Sequence, residues 1–462
     1  MDLGRARFFT ARGWGLIGTG LFCILLAQIM GRKDLLTLGL FLLLLPLLAA
    51  ITVRIIAPRF TVHREFSPVV VEADSTSTVE LTVAGPTRFG GKVRMQEKLP
   101  GRFGRSPEFS YPGRVRATLD VGLHGSRYQY HLRPASRGQF SIGPVSAELG
   151  DVFGMSRHLQ SLPGTDLLTV TPRALDLPSN TLSGARGSDG STATRQQANP
   201  SDDDVMTREY RHGDPMRRVH WPATARHGQL MVRQEESVTT PEAVLLLDQR
   251  AVAFEHDSSA NHHGKDDEHP ELRSSARFEW SVVAAMSISA HLIERNYDLR
   301  VLDVFGRPGL GSSRSAPEPL VEEYAGSAGL SSIAESLAAI ELQEEPGLTA
   351  FNERLLDRLS LNRQRGPLIA LLGDVSTDQA LAVAPAAEGT TAAWAIICSD
   401  RAERSEAVAT VLREGGWRVV LADEHSALAA VWNAFDSREI LDSTADPAAQ
   451  KDRQPTGLGK SG

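Results

Sequence analysis

Residues 241–252 read PEAVLLLDQRAV, and the apolar run Ala243 to Leu247 stops at a carboxylate, Asp248. Five consecutive apolar residues ahead of an acid suit a short strand buried on both faces, as in a parallel sheet. Downstream, Phe278 to Arg295, Phe351 to Arg363, Arg401 to Glu414 and Ser426 to Phe435 read as helices. Between them Leu299 to Phe305, Pro367 to Leu372, Ala392 to Cys398 and Trp417 to Leu421 read as strands. This alternation indicates a doubly wound α/β domain over residues 241–437. Such sheets bind ligands outside the carboxyl ends of their strands, where Asp248 and Asp374 fall.

Upstream, residues 58–175 carry short alternating segments such as Thr76 to Val83 and Arg116 to Leu123, separated by Gly and Pro turns. With no long amphipathic helix among them, they predict an antiparallel β-sandwich. In its last part, Arg137-Gly138 reads as a turn into the strand Gln139 to Ile142, and Asp151 as a turn-forming residue rather than a catalytic acid.

The N-terminus predicts a membrane anchor. Residues 14–30 and 35–53 are apolar apart from Thr19, Gln28, Thr37 and Thr52, and only Gly31 to Asp34 separates them. Each run approaches the ~20 residues that cross a bilayer, so residues 1–57 read as a transmembrane helical hairpin. A cleaved signal peptide fits less well, because a second apolar run follows the first and no small-x-small cleavage site does. Three arginines precede the first run and Arg54, Arg59 and Arg64 follow the second, which puts both ends and the body in the cytoplasm, at the cell membrane. Residues 1–64 hold eight Lys/Arg against two Asp/Glu, while the remainder holds 41 against 54. An acidic body argues against a nucleic-acid partner. Two cysteines, Cys23 and Cys398, exclude a disulfide framework.

Between the sandwich and the α/β domain, residues 176–240 hold a polar loop, Leu182 to Asn199, and then REYRHGDPMRRVHWPATARHGQLMVR from Arg208 to Arg233. Six arginines and three histidines in this stretch suggest a catalytic site, a polyanion patch or a structural clasp. Met206 to Tyr210 predicts an extended segment, and Asp214-Pro215 a helix start reaching about Trp221. Pro222 predicts a second helical turn closed by Gly228, and Gln229 to Glu235 a strand. A hydrolase reading would use His220 as base and Asp214 to orient it, but no Ser or Cys nucleophile on a Gly-rich elbow accompanies them. A clasp reading pairs Arg208, Arg217 and Arg233 with Glu209, Asp214 and other acids, and buries Tyr210 and Trp221 between the two domains.

The run R-E-Y-R-x-G-D-x-x-R-x-V-H-W-x-A-T-A-R-x-G-x-L-x-V-R, with Gly213 at its turn, resembles the signature of the bacterial domain-of-unknown-function 58 family. The upstream runs R-G-x-F-x-I-G-P and D-x-F-G-M and the apolar hairpin fit the same family in order. The resemblance implies a membrane hairpin, a β-sandwich, this signature and a von Willebrand factor A-like domain. It further implies association with MoxR-type AAA+ ATPases and with envelope proteins. Pro222 departs from the pattern, where relatives commonly carry a basic residue.

A metal-binding domain of the A type would read Asp-x-Ser-x-Ser after its first strand. Here the positions are Asp248, Gln249, Arg250, Ala251 and Val252, with Asp374 as the second acid. Arginine and valine in place of the serines predict a degenerate site without metal, and no cofactor is expected. The insert His256 to His269 is rich in histidine but lacks cysteine, which suits adventitious rather than structural metal binding. Residues 438–462 read as a disordered tail. The chain has no G-x-x-x-x-G-K-[ST] loop. The sequence favours a non-enzymatic, membrane-anchored interaction or scaffold protein, with the hydrolase as alternative.

Overall fold

A computed structural model describes residues 8–55, 58–85, 93–113, 115–118, 124–179, 207–210, 216, 219–233, 241–255, 272–344, 347, 349–360 and 366–436. Two helices lead the chain, α1 (Ala11–Met30) and α2 (Lys33–Ile55). Both begin a few residues earlier than the apolar runs and are long and apolar enough to cross a membrane. They pack through facing glycines: a Cβ on Gly39 would sit 2.8 Å from the Gly20 carbonyl oxygen. Small residues at such a crossing let two backbones approach closely. Leu21, Leu25, Leu40 and Leu44 point outward on these helices, unlike the side chains of a core helix in a globular protein.

The body begins with eleven strands. These are β1 (Thr61–Ser67), β2 (Val70–Glu72), β3 (Ser77–Ala84), β4 (Val93–Glu97), β5 (Glu108–Tyr111) and β6 (Val115–Thr118). They continue with β7 (His124–Leu132), β8 (Gly138–Ile142), β9 (Val145–Gly150), β10 (Arg157–Leu162) and β11 (Asp166–Thr171). They form sheets of order β1-β3-β7-β6, β10-β9-β4-β5 and β2-β11-β8. Leu81 and Val83 of the first sheet meet Met95, Ala147 and Leu149 of the second in one core, which the α2 residue Val53 also enters. Val79 and Leu132 meet Ile142 and Leu168 of the third sheet in another. A buried arginine joins all three. Arg64 on β1 donates from Nε to Glu97 of β4 at 2.7 Å and pairs with Asp166 of β11. Tyr130 of β7 donates to the same Glu97, and its phenol is pushed upward by burial first and by the Glu97 charge second.

The helices enter the body through the run Asp151 to Met155. Asp151 Oδ1 accepts the Met155 and Ser156 amides at 2.7 and 2.8 Å, so this acid shapes a turn, as its position beside glycine predicts. That turn receives the start of α1. Thr10 Oγ1 donates to the Gly154 carbonyl at 2.6 Å and its amide to Met155 at 2.8 Å. A Cβ on Gly13 would meet the Met155 oxygen at 2.3 Å, so only glycine allows this approach.

The short ribbon strands β12 (Thr207–Glu209) and β13 (Met231–Arg233) flank α3 (Trp221–His227). The third part comprises β14 (Glu242–Leu247), α4 (Ala251–Phe254), α5 (Ala276–Glu294), β15 (Asp298–Asp303), β16 (Glu323–Tyr324) and α6 (Gly326–Ala338). It continues with α7 (Glu353–Ser360), β17 (Pro367–Leu372), α8 (Thr377–Val383), β18 (Ala392–Cys398), α9 (Ala402–Glu414), β19 (Arg418–Ala422) and α10 (Leu428–Ala434). One sheet of order β16-β15-β14-β17-β18-β19 results, parallel except for the edge strand β16. Alternate residues of β14 face opposite cores. Leu245 and Leu247 pack with α5, α6 and α10, while Val244 and Leu246 pack with α7, α8 and α9. Counted along the chain, the order is 3-2-1-4-5-6, so the connections reverse direction between β14 and β17.

Several elements differ from the sequence reading. The helix expected over Phe351 to Arg363 is Glu353–Ser360, and α6 was not expected. Its sequence GSAGLSSIAESLA is poor in large apolar residues and carries two glycines, which weakens a helical signal. It folds because Ile333 and Leu337 are buried against α5. The Leu182 to Asn199 loop, the His256 to His269 insert and the tail from residue 438 lie outside the described residues.

The β and α/β parts are joined by Arg137, which the sequence reading gave only to a turn. Its Nε and Nη2 hold the Glu279 carboxylate of α5, each at 2.9 Å. Its Nη1 donates to the carbonyls of Leu337 and Ile340 at 2.7 and 2.9 Å, across the end of α6. The segment after β11 continues the joint: Leu177 is buried in the α/β core, and Trp432 Nε1 donates to the Pro178 carbonyl at 3.0 Å. His291 of α5 packs against Trp432 at a ring distance of 5.2 Å. Burial, followed by the Arg295 charge, depresses the His291 pKa to about 4, against a hydrogen bond to the Leu177 backbone that raises it.

A folded His291 with pKa about 4 stays neutral where the unfolded imidazole, at 6.5, takes up a proton. Its contribution is therefore complete above about 6.5 and is lost as the pH falls towards about 4. Urea midpoints of the full-length protein at pH 7 and pH 5 should differ, and His291→Gln should shrink that difference. An equal difference in the variant would show that another group carries the acid sensitivity.

Candidate functional site

The signature folds as a small ribbon around a helix. β12 and β13 pair antiparallel with Arg208 opposite Val232. The Tyr210 amide donates to Leu230 at 2.8 Å, and the His220 amide to Met231 at 2.8 Å. The chain is extended at His220, and Val219 bridges Val232. The helix expected to reach Trp221 from Asp214 is therefore replaced, at this end, by a helix that starts at Trp221. Pro222 stands in its first turn, where no backbone N–H is needed, so the proline opens the helix. His220 caps it, with Nδ1 accepting from the Ala223 amide at 3.2 Å. Gly228, at φ +72°, closes it in the left-handed region, as predicted. Thr224 Oγ1 accepts from the Met231 amide at 3.0 Å and fixes the helix on β13.

This geometry corrects one expectation and bears on another. Trp221 is 62% exposed and α3 buries none of its residues, so the indole does not pack between the two domains. The cap also spends the His220 Nδ1 lone pair, which places the proton of the neutral ring on Nε2. An imidazole protonated there cannot accept a proton at that atom, so the histidine is poorly set up as a general base. Gly213, Asp214 and Arg217 lie outside the described residues, as do the side chains of Arg208 and Arg233. Glu209 and Tyr210 stand on the ribbon.

The second cluster lies at the carboxyl ends of β14 and β17. Asp248 is fully buried, and Arg250 grips it with both arms, Nε to Oδ1 at 2.9 Å and Nη2 to Oδ2 at 2.7 Å. The Arg250 amide adds a third donor at 3.1 Å. Beneath the guanidinium, the Phe351 ring lies 5.2 Å from Cζ, held by a residue at φ +58°, an uncommon conformation for an aromatic side chain. Asp374 is engaged separately, by Arg277 Nη1 at 3.2 Å and by the Ser399 hydroxyl. The structure thus brings Asp248, Arg250, Val252 and Asp374 to one edge of the sheet. A cation bound by Asp248 would have to displace a bidentate arginine. Beside them a crevice of about 330 Å³ is lined by Val252, Ser376, Thr377, Arg401 and Arg404.

The sequence reading missed Arg277 and Ser399. Both become part of this edge only through the sheet, 97 and 25 residues from Asp374. Their one local hint is that Ser399 directly follows a strand run.

Residues 206–265 match the family described as "Protein of unknown function DUF58". The match contains the whole signature and the Asp248 to Val252 loop, and it supports the resemblance read from those residues. No curated protein matches this chain significantly. Among solved structures, the alkylpurine DNA glycosylase AlkC of Pseudomonas fluorescens bound to abasic-site DNA is similar at 14% identity, over 31% of this chain and 41% of that one, with a TM-score of 0.16. A Paenibacillus cycloisomaltooligosaccharide glucanotransferase complexed with cycloisomaltoheptaose is similar at 10% identity, over 78% of this chain and 52% of that one, with a TM-score of 0.15. Superpositions this poor assign neither fold nor activity.

Arg250→Ala should lower the unfolding free energy by about 3–5 kcal/mol, because it strands a buried carboxylate. The paired change Asp248→Asn with Arg250→Met should recover much of that loss. Guanidinium unfolding of the three proteins checks this, and equal stability of Arg250→Ala and the parent would contradict the buried pair.

Proposed function

We propose that this chain is a non-enzymatic, membrane-anchored interaction protein whose DUF58 signature presents a partner-binding face. The observation that carries the reading is Trp221. An indole 62% exposed on a helix fixed by His220, Thr224 and Gly228 is a preorganised anchor for another protein. Met216, 57% exposed, stands in the same signature. Tryptophan and arginine dominate the energetic centres of protein interfaces, and the signature holds six arginines around its one tryptophan. The six-stranded sheet is read as a von Willebrand factor A-like domain, and the stacked sheets before it as a β-sandwich. Its arginine-lined crevice suits an acidic segment of the partner, with Arg250 standing where a metal ion would otherwise bridge two carboxylates.

The partner is proposed from the family resemblance: a MoxR-type AAA+ ATPase, acting with this protein on envelope proteins or on the maturation of a protein complex. The two apolar helices support anchoring in the cell membrane, and the flanking arginines support a body on the cytoplasmic side. The hydrolase alternative loses ground to the cap that occupies His220 Nδ1.

Trp221→Ala should unfold within about 1 kcal/mol of the parent, as surface substitutions do. The same change should weaken binding to the MoxR-type ATPase of the same genome at least about tenfold, which is ~1.4 kcal/mol. Calorimetric unfolding and a binding titration with detergent-solubilised protein read the two effects. A loss of about 3–5 kcal/mol in stability would mean that the ring is buried after all, and intact binding would remove the face from the interface. A reporter active only outside the cytoplasm, fused after Gly462, should stay silent.

A further inference from the structure

Where α2 meets the body, one crevice combines an apolar wall with cations. Its volume is about 250 Å³. Phe9, Leu47 and Ile51 form the apolar side, and Leu47 and Ile51 are 52% and 43% exposed. Arg54, Arg157 and His158 stand at the other side. Arg54 lies over the Phe8 ring, 4.7 Å from its centre, and Arg157 keeps one nitrogen 3.1 Å from Glu148, which leaves its remaining donors for another acceptor. Ser156 also lines the crevice. It is 2% exposed, and its Oγ has no hydrogen-bond partner among the described residues. A buried hydroxyl without a partner is destabilising, so a missing acceptor is the simplest account of it.

We propose that this crevice is a binding site for one anionic phospholipid. The proposal rests on α1 and α2 crossing the membrane. With both helices in the bilayer, Arg54 in the last turn of α2 falls at the level of the headgroups, where arginine side chains meet phosphate. The acyl chain runs along Leu47 and Ile51, away from the body. The phosphate sits between Arg54 and Arg157, and the Ser156 hydroxyl donates to one of its oxygens. The turn that receives α1 presents Val152 and Phe153, 73% and 64% exposed, next to the same junction. Exposed apolar residues at that depth enter the interfacial layer rather than water. A bound lipid would also brace the helices against β10 and set the angle at which the body leaves the membrane.

Native mass spectrometry of the full-length protein, extracted from vesicles of equimolar phosphatidylglycerol and phosphatidylcholine, tests this. One phosphatidylglycerol per chain should be retained, with at least about tenfold preference over phosphatidylcholine. Arg54→Gln with Arg157→Gln should abolish the preference, and Ser156→Ala should reduce retention without lowering the urea midpoint. Equal retention of the two lipids, displacement by inorganic phosphate alone, or an unaltered preference in the double variant would each overturn the site. Extraction of the unaltered protein from membranes by alkaline carbonate would instead defeat the anchoring reading, which the mass spectra do not measure.

Discussion

One guanidinium decides how the two halves of the body face each other. Arg137 leaves the start of β8, passes into the α/β part and satisfies at once the Glu279 carboxylate and carbonyls at the end of α6. The last carbonyls of a helix have no partner within it, so a fixed cation there is favourable both as a donor and against the helix dipole. A planar fork that must meet a carboxylate and two carbonyls together tolerates little rotation. The joint is therefore geometric as well as energetic. Gly138, the next residue, lies at φ +148°, a backbone conformation other residues rarely adopt.

Arginine recurs as the fastening element elsewhere. Arg64 ties three sheets through Glu97 and Asp166, and Arg250 locks Asp248 at the sheet edge. In each case the side chain is buried and its partner acid comes from a different strand or from the same tight loop. Buried pairs of this kind add specificity of arrangement more surely than they add stability. At the edge of the α/β sheet the strand order reverses between β14 and β17 beside a crevice, and Arg250 and Arg277 engage the carboxylates of Asp248 and Asp374 there.

The two apolar helices are part of the same packing as the β part. α1 enters through the Asp151 turn and α2 sends Val53 into the core between the first two sheets, so the helices are packed into the body rather than tethered to it. From there the Arg137 joint leads to the α/β part.

The sequence by itself determined the elements. The apolar lengths of residues 14–30 and 35–53, the strand runs 367–372 and 392–398, and the glycine that ends α3 are all local patterns, and a local pattern is visible wherever the nearest neighbours in the chain dictate the conformation. It also marked the signature and the sheet-edge acids as the places to look. What it could not carry was every decision made between distant residues. Arg137 reads as a turn residue because its partners lie 142 and 200 positions away. Trp221 reads as buried because tryptophan usually is, and only the packing of α3 on β13 leaves it exposed. α6 has too few large apolar residues to announce itself and becomes a helix through the surface it covers. Burial and pairing are sums over neighbours in space, and those neighbours are set by the tertiary structure alone.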